Sequence, residues 1–143
     1  MKKLGLLFVM ILTLISCQSD DNGNNNCGLL PNVLVNFEVN LALPQFQNLL
    51  TPQNPVVIPG QGVGGLIVMR NFGDSFVAWD NADPNRVFQT CSIMTVQGTI
   101  ATSNCEDENK YDINTGLPLT EGLSCGLKPY RIQQGGNSLL ISN

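Results

Sequence analysis

The chain has 143 residues, with 7 Lys plus Arg against 11 Asp plus Glu, 5 Cys and no His. The lack of imidazole excludes every catalytic or metal-binding scheme that depends on it, and the acidic balance argues against nucleic acid as a partner. The length suits one domain, and a charged fraction of 13% with 14 Gly and 8 Pro suits short strands joined by turns better than a helical bundle.

In chain order, Met1 to Ser16 reads first, as a targeting segment. Lys2 and Lys3 supply a positive start, and Leu4 to Ile15 an apolar stretch too short for a bilayer that needs about 20 residues. Leu14-Ile15-Ser16-Cys17 resembles the bacterial lipobox, which implies that cleavage leaves Cys17 as a lipidated N-terminus. An ordinary signal peptide with an incidental Cys is the competing reading. Several acyl chains on Cys17, palmitate among them, would give stable anchoring where one would be marginal. Loss of residues 1–16 removes Lys2 and Lys3 and no acid, which leaves the mature chain with five basic and eleven acidic side chains. Gln18 to Asn26 has nothing apolar to bury and reads as a tether. Asp20 and Asp21 either form a solvated linker or resemble the signal that sends some Gram-negative lipoproteins to the cell surface. The division is a signal peptide at 1–16, a lipidated N-terminus and tether at 17–30, and a β domain at 31–143. The implied location is the cell envelope, as an outer-membrane lipoprotein facing the periplasm or the exterior.

Val33, Val35, Phe37, Val39, Leu41 and Leu43 alternate with other residues at period two, which predicts a strand with one face in a core. Pro44 ends it, Gln45 to Leu50 suits one helical turn, and a Pro-rich run follows from Pro52 to Pro59. Gly60-Gln61-Gly62-Val63-Gly64-Gly65 lacks the Lys-Ser/Thr of a phosphate-binding loop and reads as a flexible turn into a strand. Gly65 to Met69 is apolar throughout, as suits a strand buried on both faces, and pairs across Gly73-Asp74 with Ser75 to Trp79. Trp79 reads as core. A second hairpin joins Met94-Thr95-Val96 to Thr99-Ile100-Ala101 through Gln97-Gly98. Lys110 to Ile113 is a further strand, and Leu127 to Gln133 pairs with Ser138 to Ser142 across Gly135-Gly136-Asn137.

Gly64 to Arg70, Phe76-Val77-Ala78-Trp79-Asp80 and Tyr111-Asp112-Ile113-Asn114-Thr115-Gly116 together resemble the Rieske iron-sulfur domain, and 126–141 resembles its closing hairpin. The resemblance extends from about Val56 to Asn143. It implies an all-β, small antiparallel sandwich or barrel with disulfide-braced loops at one end. A Rieske cluster takes two thiolates on one iron and two imidazoles on the other. The positions that match these ligands hold Asp83, Asn85, Ser103 and Glu106, and the Pro of the covering loop near Gly122-Leu123-Ser124 is missing. The resemblance therefore implies a domain without its [2Fe-2S] cofactor.

With Cys17 acylated, four Cys remain, and three pairings are open. Cys91 and Cys105 resemble the pair that braces both ligand loops in some members of the family, which leaves Cys27 with Cys125. A four-thiolate iron-sulfur or zinc site is the alternative, weakened by the absence of any Cys-x-x-Cys spacing. Glu106, Asp107, Glu108 and Asp112 crowd four carboxylates into seven residues, either as a solvated loop or as oxygen ligands for Ca²⁺. Without His, and with no Ser-x-x-Lys run, no nucleophile has an evident base, so no enzymatic role is expected. The sequence therefore points to a membrane-anchored envelope lipoprotein with a cluster-less domain in a binding or structural role, its partner unidentified. The alternatives are a Rieske-type electron carrier and a Ca²⁺-dependent surface module.

Overall fold

The computed structural model describes residues 27–143; the targeting segment, Cys17 and the tether up to Asn26 lie outside the described residues. Nine strands form among the described residues: β1 (Asn36–Asn40), β2 (Val56–Ile58), β3 (Leu66–Arg70), β4 (Phe76–Asp80), β5 (Met94–Gln97), β6 (Ile100–Ser103), β7 (Lys110–Asp112), β8 (Arg131–Gly135) and β9 (Ser138–Ser142). They make three antiparallel sheets of three strands each, in the orders β1-β9-β8, β2-β3-β4 and β5-β6-β7. The described helices are two short 3-10 segments, Pro44–Leu50 and Thr90–Ser92, so the fold is all-β.

The alternation of side chains along β3 organises the layers. Leu66 and Val68 enter one core with Val35, Val39, Ile58, Leu139 and Ile141. Ile67 and Met69 point the other way, into a second core with Met94, Ala101, Tyr111, Ile113 and Leu127. The sheet β2-β3-β4 is thus the middle of three layers, and all four of these β3 side chains are fully buried. This is why the run from Gly65 to Met69 contains no polar residue. At about 1.5 to 3 kcal/mol for each fully buried aliphatic side chain, β3 is the strand the domain can least spare.

Several boundaries differ from the sequence expectation. The period-two pattern of 33–43 forms a strand only over its middle, because Val33 and Leu43 are exposed and the Asn143 side chain takes the Val35 amide at 2.9 Å. The Pro-rich run contains a strand, β2, that its composition hides. It lies at a sheet edge, where flanking Pro55 and Pro59 forfeit no ladder hydrogen bond. In the hairpin β5–β6, Gln97 pairs with Ile100, so the two-residue connection is Gly98-Thr99, one residue later than expected. Gly98 supplies the positive φ, +58°, that this turn needs. Likewise β8 begins only at Arg131. Residues 127–130 lie along β4 instead, with the Asp80 amide donating to the Lys128 carbonyl and the Tyr130 amide to that of Ala78, both at 2.9 Å.

Candidate functional site

Beyond β4 the chain leaves the sheet at Asp80 and enters a set of loops, 81–92, 103–109 and 121–126, that form one pole of the domain, its apex. Two disulfides fasten it: Cys91 is bonded to Cys105 and Cys27 to Cys125, with Cα separations of 4.8 and 5.4 Å. The four-thiolate site is thereby overturned, since each of these sulfurs is spent in a bridge.

At the centre of the apex Asp83 is completely buried. Its carboxylate accepts hydrogen bonds from the Tyr111 hydroxyl at 2.5 Å, the Asn85 amide at 3.0 Å and Asn109 Nδ2 at 3.0 Å. Arg86 Nε stands 4.0 Å away, and the guanidinium pairs with Asp107 at 2.9 Å. A buried carboxylate is costly unless donors surround it, and here three do. Asn85 extends the network to the third loop. Its Nδ2 donates to Tyr111 Oη and to the Cys125 carbonyl, both at 2.8 Å, and its Oδ1 accepts the Cys125 amide at 3.0 Å. One side-chain amide thus pairs with a backbone amide as a neighbouring strand would. Burial first, and then the hydrogen bond to Asp83, raise the Tyr111 phenol well above the ordinary tyrosine value, so it stays a donor.

The four positions matched to cluster ligands have separate fates. Asp83 and Asn85 meet in this network. Ser103 is buried with a hydroxyl that has no partner, and Glu106 is exposed to solvent. No imidazole exists in the chain, every sulfur of the apex is in a bridge, and the Asp83 and Asn85 polar atoms are committed to one another's loops. These residues do not fit a [2Fe-2S] cluster.

The acidic run disperses in the same way. Asp107 pairs with Arg86, and Asp112 accepts from Asn114 Nδ2 at 2.8 Å and Thr115 Oγ1 at 2.9 Å within its own turn. Among the described residues no three Cys, Asp or Glu side chains converge as metal ligands would.

The residues that carry the family resemblance outside the apex have mechanical work to do. Asp80, fully buried, accepts the amides of Val63 at 2.8 Å and Gly64 at 2.9 Å and the hydroxyl of Tyr130 at 2.7 Å. The glycine run is therefore a held turn rather than a flexible one, with two of its amides taken up by Asp80. A Cβ on Gly62 would stand 2.6 Å from Asp80 Oδ2, which only glycine avoids. Trp79 donates from Nε1 to the Ile113 carbonyl at 2.8 Å, and its ring lies so close to Gly116 that a Cβ there would meet it at 2.6 Å. Sequence reasoning did not foresee Tyr111, Asn109, Arg86 or Tyr130 as partners of these acids. Asp83 and Tyr111 are 28 positions apart, and no local pattern announces a pair at that range.

A groove of about 370 Å³ lies on the outer side of β5–β7, lined by Thr95, Gln97, Thr102, Asn104, Glu108 and Lys110 among others. It is polar and open, and Thr95 and Asn104 already bond one another across it at 2.9 Å.

No family model and no curated protein matches the chain. Among solved structures it is similar to the ferredoxin of carbazole 1,9a-dioxygenase from Nocardioides aromaticivorans IC177, at 17% identity and a TM-score of 0.47, over 77% of this chain and 97% of that one. It is also similar to a ferredoxin of Sphingomonas yanoikuyae B1, at 17% identity and a TM-score of 0.44, over 65% of this chain and 88% of that one.

Proposed function

We propose that the chain is an envelope lipoprotein, anchored through Cys17, whose Rieske-like domain carries no cluster and serves in binding or structure rather than in electron transfer or catalysis. The observation that supports this reading best is the hydrogen-bond network of Asp83, Asn85, Asn109 and Tyr111. Where the resemblance leads one to expect metal ligands, the side chains instead tie three loops together. Such a network rigidifies loops that a cluster would otherwise organise, and the two disulfides add covalent constraint suited to an oxidising compartment.

Electron transfer through a Rieske-type [2Fe-2S] centre would need imidazole ligands, which this chain lacks, and an all-thiolate centre would need the four sulfurs that are spent in the two bridges. Protein purified from its own envelope is expected to be colourless between about 400 and 600 nm and to contain no stoichiometric iron. Visible bands with two iron atoms per chain would overturn the reading. For the anchor, Cys17→Ser is expected to abolish incorporation of labelled palmitate, and label retained by that variant would sink the assignment.

A further inference from the structure

Cys27 lies at the apex, bonded to Cys125, whose backbone is clamped from both sides by Asn85. From there residues 28–35 run down the side of the domain: Lys128 Nζ donates to the Pro31 carbonyl at 3.0 Å, and the Asn143 side chain holds the Val33 carbonyl at 2.7 Å. An anchor N-terminal to Cys27 would therefore suspend the domain from its apex. Large apolar side chains are exposed on and beside the apex loops, Val87 at 65% and Leu29 at 37%, and on the segment that runs along β7 into loop 121–126, Leu117 at 61% and Leu119 at 53%. Val87 follows Asn85 by two residues and Leu29 follows Cys27 by two. Leu117 adjoins Gly126, the residue after Cys125, where a Cβ would lie 3.9 Å from the Leu117 Cα.

Nine residues, 18–26, separate Cys17 from Cys27, so ten steps of chain join them. Ten steps reach at most about 35 Å. A domain the size of 27–143 has a radius of gyration of about 13 Å and is therefore roughly 35 Å across. Its opposite pole could face the bilayer only with the tether pulled to its limit, whereas the apex faces it at no such cost.

Resting on the reading that Cys17 is acylated, we propose that the apex docks on the membrane that holds the anchor, with Val87, Leu117, Leu119 and Leu29 seated among the lipid headgroups. Partly apolar surfaces bind at that depth, and a tether raises their local concentration. The exposed Glu106, Glu108 and Glu121 flank the same loops, so a zwitterionic surface suits the apex better than an anionic one.

The test is hydroxyl-radical footprinting, read by mass spectrometry, of the mature lipidated chain on phosphatidylethanolamine–phosphatidylcholine vesicles, compared with the soluble Cys17→Ser chain. Flotation with the vesicles is scored first. Docking predicts that Val87, Leu117 and Leu119 are labelled about three-fold less, or lower still, on vesicles, while Phe72, at 77% exposure on the β3–β4 turn, is unchanged. Val87→Ser with Leu117→Ser should float normally and lose the protection at Leu119, and partial replacement by phosphatidylglycerol should weaken it. Flotation without apex protection, or with protection at Phe72, overturns docking and leaves the anchor standing. Protection that rises with protein density on the vesicle assigns the patch to a second copy of the chain and overturns it as well. Failure to float overturns the anchor and docking together.

Discussion

Two buried carboxylate–phenol pairs stand near one another in the chain and hold their surroundings by different means. Asp80 with Tyr130 grips a turn through the main-chain amides of Val63 and Gly64. Asp83 with Tyr111 grips the apex largely through side chains, Asn109 directly and the Asn85 side chain by way of Tyr111, with the Asn85 amide as its one main-chain donor. Main-chain donors are present whatever residue occupies the position, provided that glycine permits the approach. Side-chain donors exist only if the right residue does. The first region can therefore be recognised from a motif, while the second is particular to this chain. Both disulfides sit in the second region, where apolar packing is thin and covalent links supply what the core does not.

The largest test of that contrast is removal of the bridges. Cys27→Ser with Cys125→Ser opens a loop of nearly 100 residues and should cost about 4 to 5 kcal/mol in the chain-entropy model, against about 3 for Cys91→Ser with Cys105→Ser. Calorimetric melting of the two variants checks the order. If neither lowers the melting temperature, the apex is not held covalently and the contrast between the regions fails.

Next come the two carboxylates. Asp80→Asn turns an NH₂ group toward donors that cannot reverse, and should cost about 2 kcal/mol. Asp83→Asn faces Asn109, whose amide can rotate to offer its oxygen, so the loss should be nearer 1 kcal/mol. Denaturant unfolding measures both. Equal losses would break the distinction between fixed and adaptable donors.

The phenols should respond to pH alike in both regions. Tyr111 and Tyr130 are both raised, first by burial and then by their carboxylate hydrogen bonds. A raised folded value means that the stability each contributes is fully present below the unfolded tyrosine value of about 10 and is lost as pH rises above it. Melting temperatures should accordingly fall above about pH 10, and Tyr111→Phe or Tyr130→Phe should each make that fall shallower. Unchanged slopes in both variants would show that neither phenol is linked to folding. The smallest effect expected is none: added Ca²⁺ should leave the melting curve in place, because Asp107 and Asp112 already serve Arg86 and a local turn. A calcium-dependent rise would place a site among Glu106 to Asp112 that the geometry does not gather.

Much of the scaffold could be read from order along the chain. The unbroken apolar run of β3 announced burial on both faces, and the hairpins announced themselves through glycine turns, wrong by a residue where Gly98 rather than Gln97 opens the connection. β2 escaped notice because proline normally argues against a strand and only its edge position lifts that objection. The apex was legible as a set of positions, Asp83, Asn85, Ser103 and Glu106, and not as a site. Their fates depend on Tyr111, Asn109 and Cys125, which arrive from other segments of the chain.

What the amino-acid order determined alone was everything that short-range rules govern: an all-β chain, its turns, a doubly buried strand, and the impossibility of imidazole chemistry. Tertiary structure alone decided that Asp80 closes a glycine turn while Asp83 gathers three loops, and that the acidic run is dispersed into separate pairs. The reason is physical. Periodicity and turn preference act within a few residues, whereas a buried carboxylate is satisfied by whichever donors the packed layers deliver to it, and their distance along the chain places no constraint on that meeting.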